Sequence, residues 1–139
     1  MFRELRSAGL ALALAACGSS LPDPQSTTHL ANDFVEVPYP PPAALVEVVP
    51  DRPDHHALWV DGNWVWRGRY YVWQRGGWVH APADAAYASW QAYLTRDGRL
   101  LFAPATWYDA RHQPLDAPTL LQVARTPPNQ TTLETEVAR

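Results

Sequence analysis

A group of acidic and histidine residues is the first place in the chain where metal chemistry could occur. Asp51, Asp54, His55 and His56 lie close together, and these residue types are common zinc ligands. Adjacent histidines in an extended chain, however, point to opposite sides, and no closed ligand spacing recurs elsewhere in the sequence. We therefore predict a solvated turn at this position and no metal site.

The sequence also offers few residues for enzymatic chemistry. Glycoside hydrolysis needs two facing carboxylates, but Asp61 and Asp97 each precede a glycine, where turns favour aspartate. The chain has no lysine for a Schiff base, no glycine-rich phosphate loop and no serine nucleophile motif. We predict no catalytic residues, no cofactor and no enzymatic activity.

The N-terminal segment carries the most specific pattern in the chain. Arg3 and Arg6 precede an apolar run over residues 8–16, which ends in small residues just before Cys17. A membrane-spanning helix needs about 20 apolar residues, so this run is too short to span and is typical of a secretory signal peptide.

The residues Leu14, Ala15, Ala16 and Cys17 resemble the lipobox of bacterial lipoprotein precursors. The resemblance implies a signal peptide over residues 1–16 and lipidation of Cys17, which becomes the new N-terminus and leaves no free thiol. Several acyl chains would make the membrane a firm partner, because one chain alone binds only marginally. In that family an Asp after the Cys often means retention at the inner membrane, so Gly18 favours the outer membrane. An ordinary signal peptide with an incidental Cys is the alternative.

Length, composition and charge limit the remaining classes. The 139 residues allow one ordinary domain, and 47% hydrophobic against 18% charged residues predicts a folded chain. The formal net charge of -3 argues against a nucleic-acid partner, which would require a basic patch. Aromatic residues make up 12% of the chain and favour strands.

The chain divides into four parts. Residues 1–16 are the signal peptide, and residues 17–42 are a tether that ends in a proline-rich, extended stretch. Residues 43–109 are the β-domain. Residues 110–139 are a partly disordered extension, with one or two helical turns over 119–125. Of two alternating segments, 35–37 and 46–49, the second is the better strand candidate.

An internal repeat dominates the centre of the chain. Trp59-Val60-Asp61-Gly62-Asn63-Trp64 and Trp73-Gln74-Arg75-Gly76-Gly77-Trp78 both fit Trp-x-x-Gly-x-Trp. If Asp61-Gly62 and Arg75-Gly76 are the central residues of two-residue hairpin turns, each glycine adopts a positive φ. Trp59 then lies opposite Trp64, and Trp73 lies opposite Trp78.

Two more hairpin dipeptides complete the predicted sheet. Turns at Arg67-Gly68 and Asp97-Gly98 join further strands. These registers place Trp66 opposite Arg69, Trp64 opposite Tyr71, Tyr93 opposite Phe102 and Leu94 opposite Leu101. The fold class predicted is all-β, a small antiparallel meander of about six short strands, sandwich-like or a partly closed barrel, behind a lipidated N-terminal tether.

The doubled motif resembles the WXXGXW (YXWGXW) repeat family of small bacterial envelope proteins. The resemblance rests on Trp59, Gly62 and Trp64 and on Trp73, Gly76 and Trp78, with the lipobox and proline-rich segment as matching context. It implies an envelope location and a β architecture. It brings no established catalytic residues with it.

Two hypotheses about function follow from these patterns. The first is a non-enzymatic, lipid-anchored protein of the cell envelope, whose β-domain has a structural or protein-interaction role. The second is a module that binds peptidoglycan or surface polysaccharide through an aromatic sheet face, because rings with polar edges suit sugars. Exposure of the tryptophans would favour the second hypothesis and burial the first. The residues predicted for that face are Trp59, Trp64, Tyr71, Trp73 and Trp78.

Overall fold

The computed structural model describes residues 20–128, so the predicted signal peptide, lipobox and lipidation site at Cys17 lie outside the described part, as do residues 129–139. Within it the secondary structure is almost entirely β, as predicted. One 3-10 turn precedes eleven short strands. The turn is Ala31–Asp33, and the strands are β1 Val35–Glu36, β2 Leu58–Val60, β3 Asn63–Trp66, β4 Tyr71–Gln74, β5 Gly77–Val79, β6 Ala86–Ala88, β7 Gln91–Leu94, β8 Leu100–Ala103, β9 Thr106–Tyr108, β10 Pro114–Leu115 and β11 Gln122–Val123.

The strands form four small sheets whose paired strands all run antiparallel. Three sheets have three strands, in the orders β1-β8-β7, β10-β9-β6 and β11-β5-β2, and the fourth is the pair β3-β4. The predicted meander of about six strands is therefore too simple. The chain segments on both sides of the predicted β-domain also supply strands.

The pairing of the two repeats differs from the prediction. Trp59 lies opposite Trp78, and Trp64 lies opposite Trp73, so the repeats pair with each other and neither forms its own hairpin. The pairs β2-β5 and β3-β4 share one register and form a single long hairpin, interrupted at residues 61–62 and 75–76. The predicted Trp59–Trp64 and Trp73–Trp78 pairs are wrong. We call this unit, residues 58–79, the tryptophan hairpin.

The motif glycines have a different purpose from the one predicted. Neither Gly62 nor Gly76 adopts a positive φ. A Cβ on Gly76 would lie 2.6 Å from both the Gly62 nitrogen and the Val60 oxygen, so this glycine permits a close approach of two backbones. The only turn of the hairpin is at its tip, where the Arg67 N–H donates to the Tyr70 carbonyl at 2.9 Å.

The tip turn is therefore one residue further along the chain than predicted. Its central residues are Gly68, with a φ of +82°, and Arg69. Trp66 consequently lies opposite Tyr71, rather than opposite Arg69. This shift moves the register by two residues, which leaves each side chain on the face predicted for β3 and β4.

The second hairpin has the predicted turn but another register. Thr95 N–H donates to the Arg99 carbonyl at 2.8 Å, so three residues, 96–98, make the connection and Gly98 has a φ of +84°. Tyr93 lies opposite Leu101 and Leu94 opposite Leu100, one residue away from the prediction.

The described part of the predicted tether, residues 20–42, is packed against the sheets. β1 pairs with β8, and Val37 is buried. The Thr27 N–H donates to the Tyr87 carbonyl at 3.0 Å, and the Tyr108 hydroxyl donates to Asp33 at 2.6 Å. The prediction of a tether is therefore wrong for residues 20–42, because they pack against the sheets. Residues 35–36 form a strand, whereas segment 46–49 forms only an isolated bridge through Val48.

The C-terminal extension is also part of the fold as far as residue 128. β10 pairs with β9, and β11 pairs with β5. The helical turns predicted over residues 119–125 are absent from the structure, because this segment adds an edge strand and buries Ala124.

Two apolar clusters pack the sheets β11-β5-β2 and β10-β9-β6. The first joins Ala57, Trp59, Trp78 and Ala124, and the second joins Val79, Ala85 and Trp107. The two clusters lie on either side of β5, because Trp78 belongs to one and Val79 to the other. Among residues 20–128 we find no helix that is long and apolar enough to cross a membrane.

Candidate functional site

The four motif tryptophans form two edge-to-face pairs. The ring centroids of Trp59 and Trp78 are 5.4 Å apart at 70°, and those of Trp64 and Trp73 are 5.1 Å apart at 71°. This is a favoured geometry for aromatic rings. Trp59 and Trp78 are buried, at 5% and 2% exposure, whereas Trp64 and Trp73 are half-buried.

All four indole N–H groups of these pairs donate hydrogen bonds within the protein. Trp59 donates to Asp61 Oδ1 at 2.7 Å, and Trp64 donates to the Ala43 carbonyl at 3.2 Å. Trp73 donates to Glu47 Oε1 at 2.9 Å, and Trp78 donates to the Pro50 carbonyl at 2.9 Å. The polar edges of these rings are therefore already used by the fold.

Three of those acceptors belong to one extended segment, residues 39–50, which we call the strap. At the hairpin tip, the Tyr39 hydroxyl donates to the Arg69 carbonyl at 2.5 Å, and the Tyr39 ring lies 5.4 Å from that of Trp66. At the other end, Pro50 accepts from Trp78. The strap therefore follows the tryptophan hairpin along its length and covers the aromatic side chains.

Glu47 of the strap inserts at the interruption of the hairpin. Its Oε2 accepts the Gly76 N–H at 3.0 Å, while its Oε1 accepts the Trp73 indole N–H. The ladder of backbone hydrogen bonds is broken at this point, so the carboxylate satisfies a donor that the opposite strand does not reach.

The five residues of the predicted ligand face all lie on the tryptophan hairpin, and all are buried or half-buried. Trp59 and Trp78 are buried, while Trp64, Tyr71 and Trp73 are half-buried. The Tyr71 hydroxyl donates to the Tyr39 carbonyl at 3.2 Å. None of the five lies open to solvent, which favours a structural purpose over an exposed sugar-binding face.

The acidic and histidine residues considered for a metal lie in a turn. Asp54 accepts from the His56 N–H at 2.8 Å, and its other oxygen lies 2.8 Å from His80 Nε2. The hydrogen bond with His80 is the main cause that lowers the pKa of Asp54. The rings of His55 and His56 lie 3.8 Å apart, so these neighbours do not point to opposite sides as an extended chain would require. Across residues 20–128 no group of three or more potential ligands is placed to hold a metal.

The two turn aspartates have different positions. Asp97 lies in the 96–98 connection, as predicted, and accepts from Arg99 Nε at 2.9 Å. Asp61 lies at the hairpin interruption, where the two larger of the cavities that it borders have volumes of about 280 Å³ and 250 Å³. The sequence reasoning missed Trp90, which borders both cavities, because this residue lies outside the repeats.

Tyr87 lines the smaller of these cavities, and its pKa is strongly raised. Burial, with a further contribution from the charge of Asp61, raises its pKa to about 12. Its hydroxyl therefore stays protonated through the physiological range and cannot act as a base there.

The comparisons with known proteins give no further assignment. No family model, no curated protein and no solved structure matches this chain. The resemblance to the WXXGXW repeat family therefore remains a prediction from the motif.

Proposed function

We propose that this chain is a lipid-anchored protein of the cell envelope, whose β-domain has a structural or protein-interaction role and no catalytic role. The lipobox at Leu14–Cys17 supports the anchor. The observation that supports the role of the domain is the strap, because it covers the tryptophan hairpin and accepts three of its indole N–H groups.

The aromatic residues have a sufficient purpose in stability. A buried tryptophan removes 150 to 250 Å² from water, worth very roughly 4 to 6 kcal/mol at about 25 cal/mol per Å². The Trp59–Trp78 pair supplies half of its four-residue core cluster. A domain built from strands of two to four residues needs such side chains, because each strand buries little by itself.

An interaction role is supported by the sheet β1-β8-β7. β7 lies at its edge, and Tyr93 and Leu94 on this strand are 47% and 69% exposed. An edge strand with apolar side chains suits a partner that adds a strand of its own. A protein partner in the envelope is consistent with this surface.

The anchor is tested by Cys17→Ser. We expect this variant to remain unlipidated and to lose detergent-dependent membrane partitioning, because the acyl chains attach through the cysteine sulfur. Metabolic acyl labelling and fractionation measure both effects. Unchanged labelling and partitioning would contradict the proposed anchor.

The role of the aromatic residues is tested by Trp64→Ala in a pull-down on purified peptidoglycan. We expect a lower melting temperature and the same retention as the wild type, because Trp64 packs on Trp73 and bonds the strap. A fully stable variant that loses retention would favour the glycan-binding hypothesis for the aromatic face.

A further inference from the structure

Two cavities meet at the interruption of the tryptophan hairpin. The larger lies between the strap and Trp73, and the smaller lies between residues 23–27 and Tyr87. Their shared lining is Trp59, Asp61, Gly62 and Trp90. We call the two adjoining cavities together the Asp61 cleft; each is slightly smaller than the usual ligand site of about 300 Å³ or more.

Aromatic rings form the walls of the Asp61 cleft. Trp90 borders both cavities and is half-buried, and its ring stacks on that of the buried Phe102 at 6.3 Å and 28°. This stacking holds the Trp90 ring in place. Tyr87 and Trp73 contribute a ring to one cavity each.

Two polar side chains in the cleft have unused hydrogen-bonding capacity. Asp61 Oδ1 accepts the Trp59 indole N–H, and within residues 20–128 the carboxylate has no ion-pair partner. Asn63 lines the smaller cavity, is only 7% exposed, and its amide oxygen has no partner in the described part of the chain. An unpaired buried acceptor costs free energy that a donor from a ligand would recover.

We propose that the Asp61 cleft binds a saccharide. Sugar hydroxyls both donate and accept, so they suit the acceptors Asp61 and Asn63 and the hydroxyl groups of Ser26 and Thr27 in the same cavity. The apolar face of a sugar ring suits the Trp90 ring. The Asn63 oxygen is itself shielded from solvent, so the proposal requires the amide to rotate about its last bond when the ligand binds.

A quaternary ammonium ligand is the competing chemistry, because aromatic rings with a carboxylate attract such cations. The quaternary nitrogen carries no N–H, however, so the cationic head of such a ligand would leave the Asn63 oxygen unpaired. The proposal concerns a cleft that borders Trp59 and Trp73 of the tryptophan hairpin, and it does not depend on the lipid anchor.

The test uses the full chain, purified in a detergent without a sugar headgroup. The probes are the N-acetylglucosamine tetramer, cellotetraose, maltotetraose and, as the cationic alternative, choline chloride. Binding is followed by tryptophan fluorescence and calorimetry. We expect at least one oligosaccharide to bind with a dissociation constant on the order of 1 mM or tighter.

Two variants locate the binding in the cleft. Trp90→Leu removes the ring but keeps apolar packing on Phe102, and Asp61→Asn keeps an acceptor for Trp59 while removing the charge. Each is expected to weaken binding about tenfold or more with the fold intact by circular dichroism. Tyr70→Ala, at the exposed hairpin tip, is the matched control and should bind as the wild type does.

The proposal is overturned by three results. These are no binding of any oligosaccharide by the wild type, binding of choline alone, or unchanged affinity in either cleft variant. If one variant fails to fold, the other decides the outcome, because the two changes remove independent contacts.

Discussion

The close approach of the two strands at Gly76 leads to a sharp prediction for Gly76→Ala. The added methyl carbon would lie 2.6 Å from the Gly62 nitrogen and the Val60 oxygen, where ordinary contact is 3.4–4 Å. The strands must then separate by about 0.8 Å, and both neighbours are backbone atoms that have no other rotamer. Overpacking costs typically about 1–3 kcal/mol and occasionally more, and we expect about 3 kcal/mol here. At about 2.1 cal/mol/K per residue over the roughly 110 residues of the fold, that lowers the melting temperature by about 13 °C.

Gly98 provides the matched control, because it needs glycine for the opposite reason. It has a φ of +84° and open space where a Cβ would be. Gly98→Ala should cost about 1–2 kcal/mol through backbone strain alone, and Gly98→Asn should cost less, because Asn tolerates this conformation. At position 76 the order is reversed, since Asn is larger than Ala and finds no space.

Thermal melts and urea titrations of the four variants, followed by circular dichroism, measure these differences. The deciding measurement is which of the two variants, Asn or Ala, has the larger free energy of unfolding at each position. If Gly76→Asn is more stable than Gly76→Ala, Gly76 needs a positive φ and the pairing of the repeats described above is wrong. A negligible effect of Gly76→Ala would refute the close approach.

Three further perturbations test the packing around the hairpin. Trp78→Ala should lower the free energy of unfolding in urea by about 3–5 kcal/mol, and Trp64→Ala by clearly less, because Trp78 is 2% exposed and Trp64 is half-buried. Equal losses would contradict the assignment of Trp78 to the core. Glu47→Gln should cost about 1–2 kcal/mol through two weakened hydrogen bonds, whereas Glu36→Gln, in an exposed pair with Arg99, should cost under about 0.5 kcal/mol; the reverse order of melting temperatures would count against the inserted carboxylate. The raised pKa of Tyr87 should contribute about 2 kcal/mol of stability below pH 10, which is lost as the pH rises through about 12, because the tyrosine of the unfolded chain ionises first. Tyr87→Phe should reduce this loss of stability at alkaline pH. The same pH profile in the variant and the wild type would argue against the raised pKa.

Local chemistry in the sequence was enough to predict the class of fold and the location of two of the four predicted turns, one of them displaced by one residue. The aromatic and β-branched residues predict strands, and Gly68 and Gly98 lie in the turns that their dipeptides indicate. Registers were less certain, because a hairpin dipeptide is compatible with two- or three-residue connections. That ambiguity shifted the β7-β8 pairing by one residue. The β3-β4 pairing shifted by two residues because its two-residue turn has Gly68 as the first central residue and not the second.

The partner of each repeat was decided by the tertiary structure. Trp-x-x-Gly-x-Trp has a tryptophan at both ends, so pairing within one copy and pairing between two antiparallel copies both match tryptophan with tryptophan. A glycine likewise permits a positive φ or a close approach of backbones, and sequence does not distinguish the two. In the folded protein the strap fits the pairing between the two copies, because Glu47 accepts the Gly76 N–H at the interruption of the hairpin.

The candidate site shows the same division. Sequence alone indicated the repeat and the aromatic residues and predicts the lipobox, since these are patterns of neighbouring residues. It predicted an extended conformation for the proline-rich segment, but composition does not say whether an extended chain lies in solvent or against a sheet. Trp90, Asn63 and Asp61 are brought to one cleft only by contacts between distant segments. Burial and the unpaired amide oxygen of Asn63 depend on those contacts, so only the folded chain reveals them.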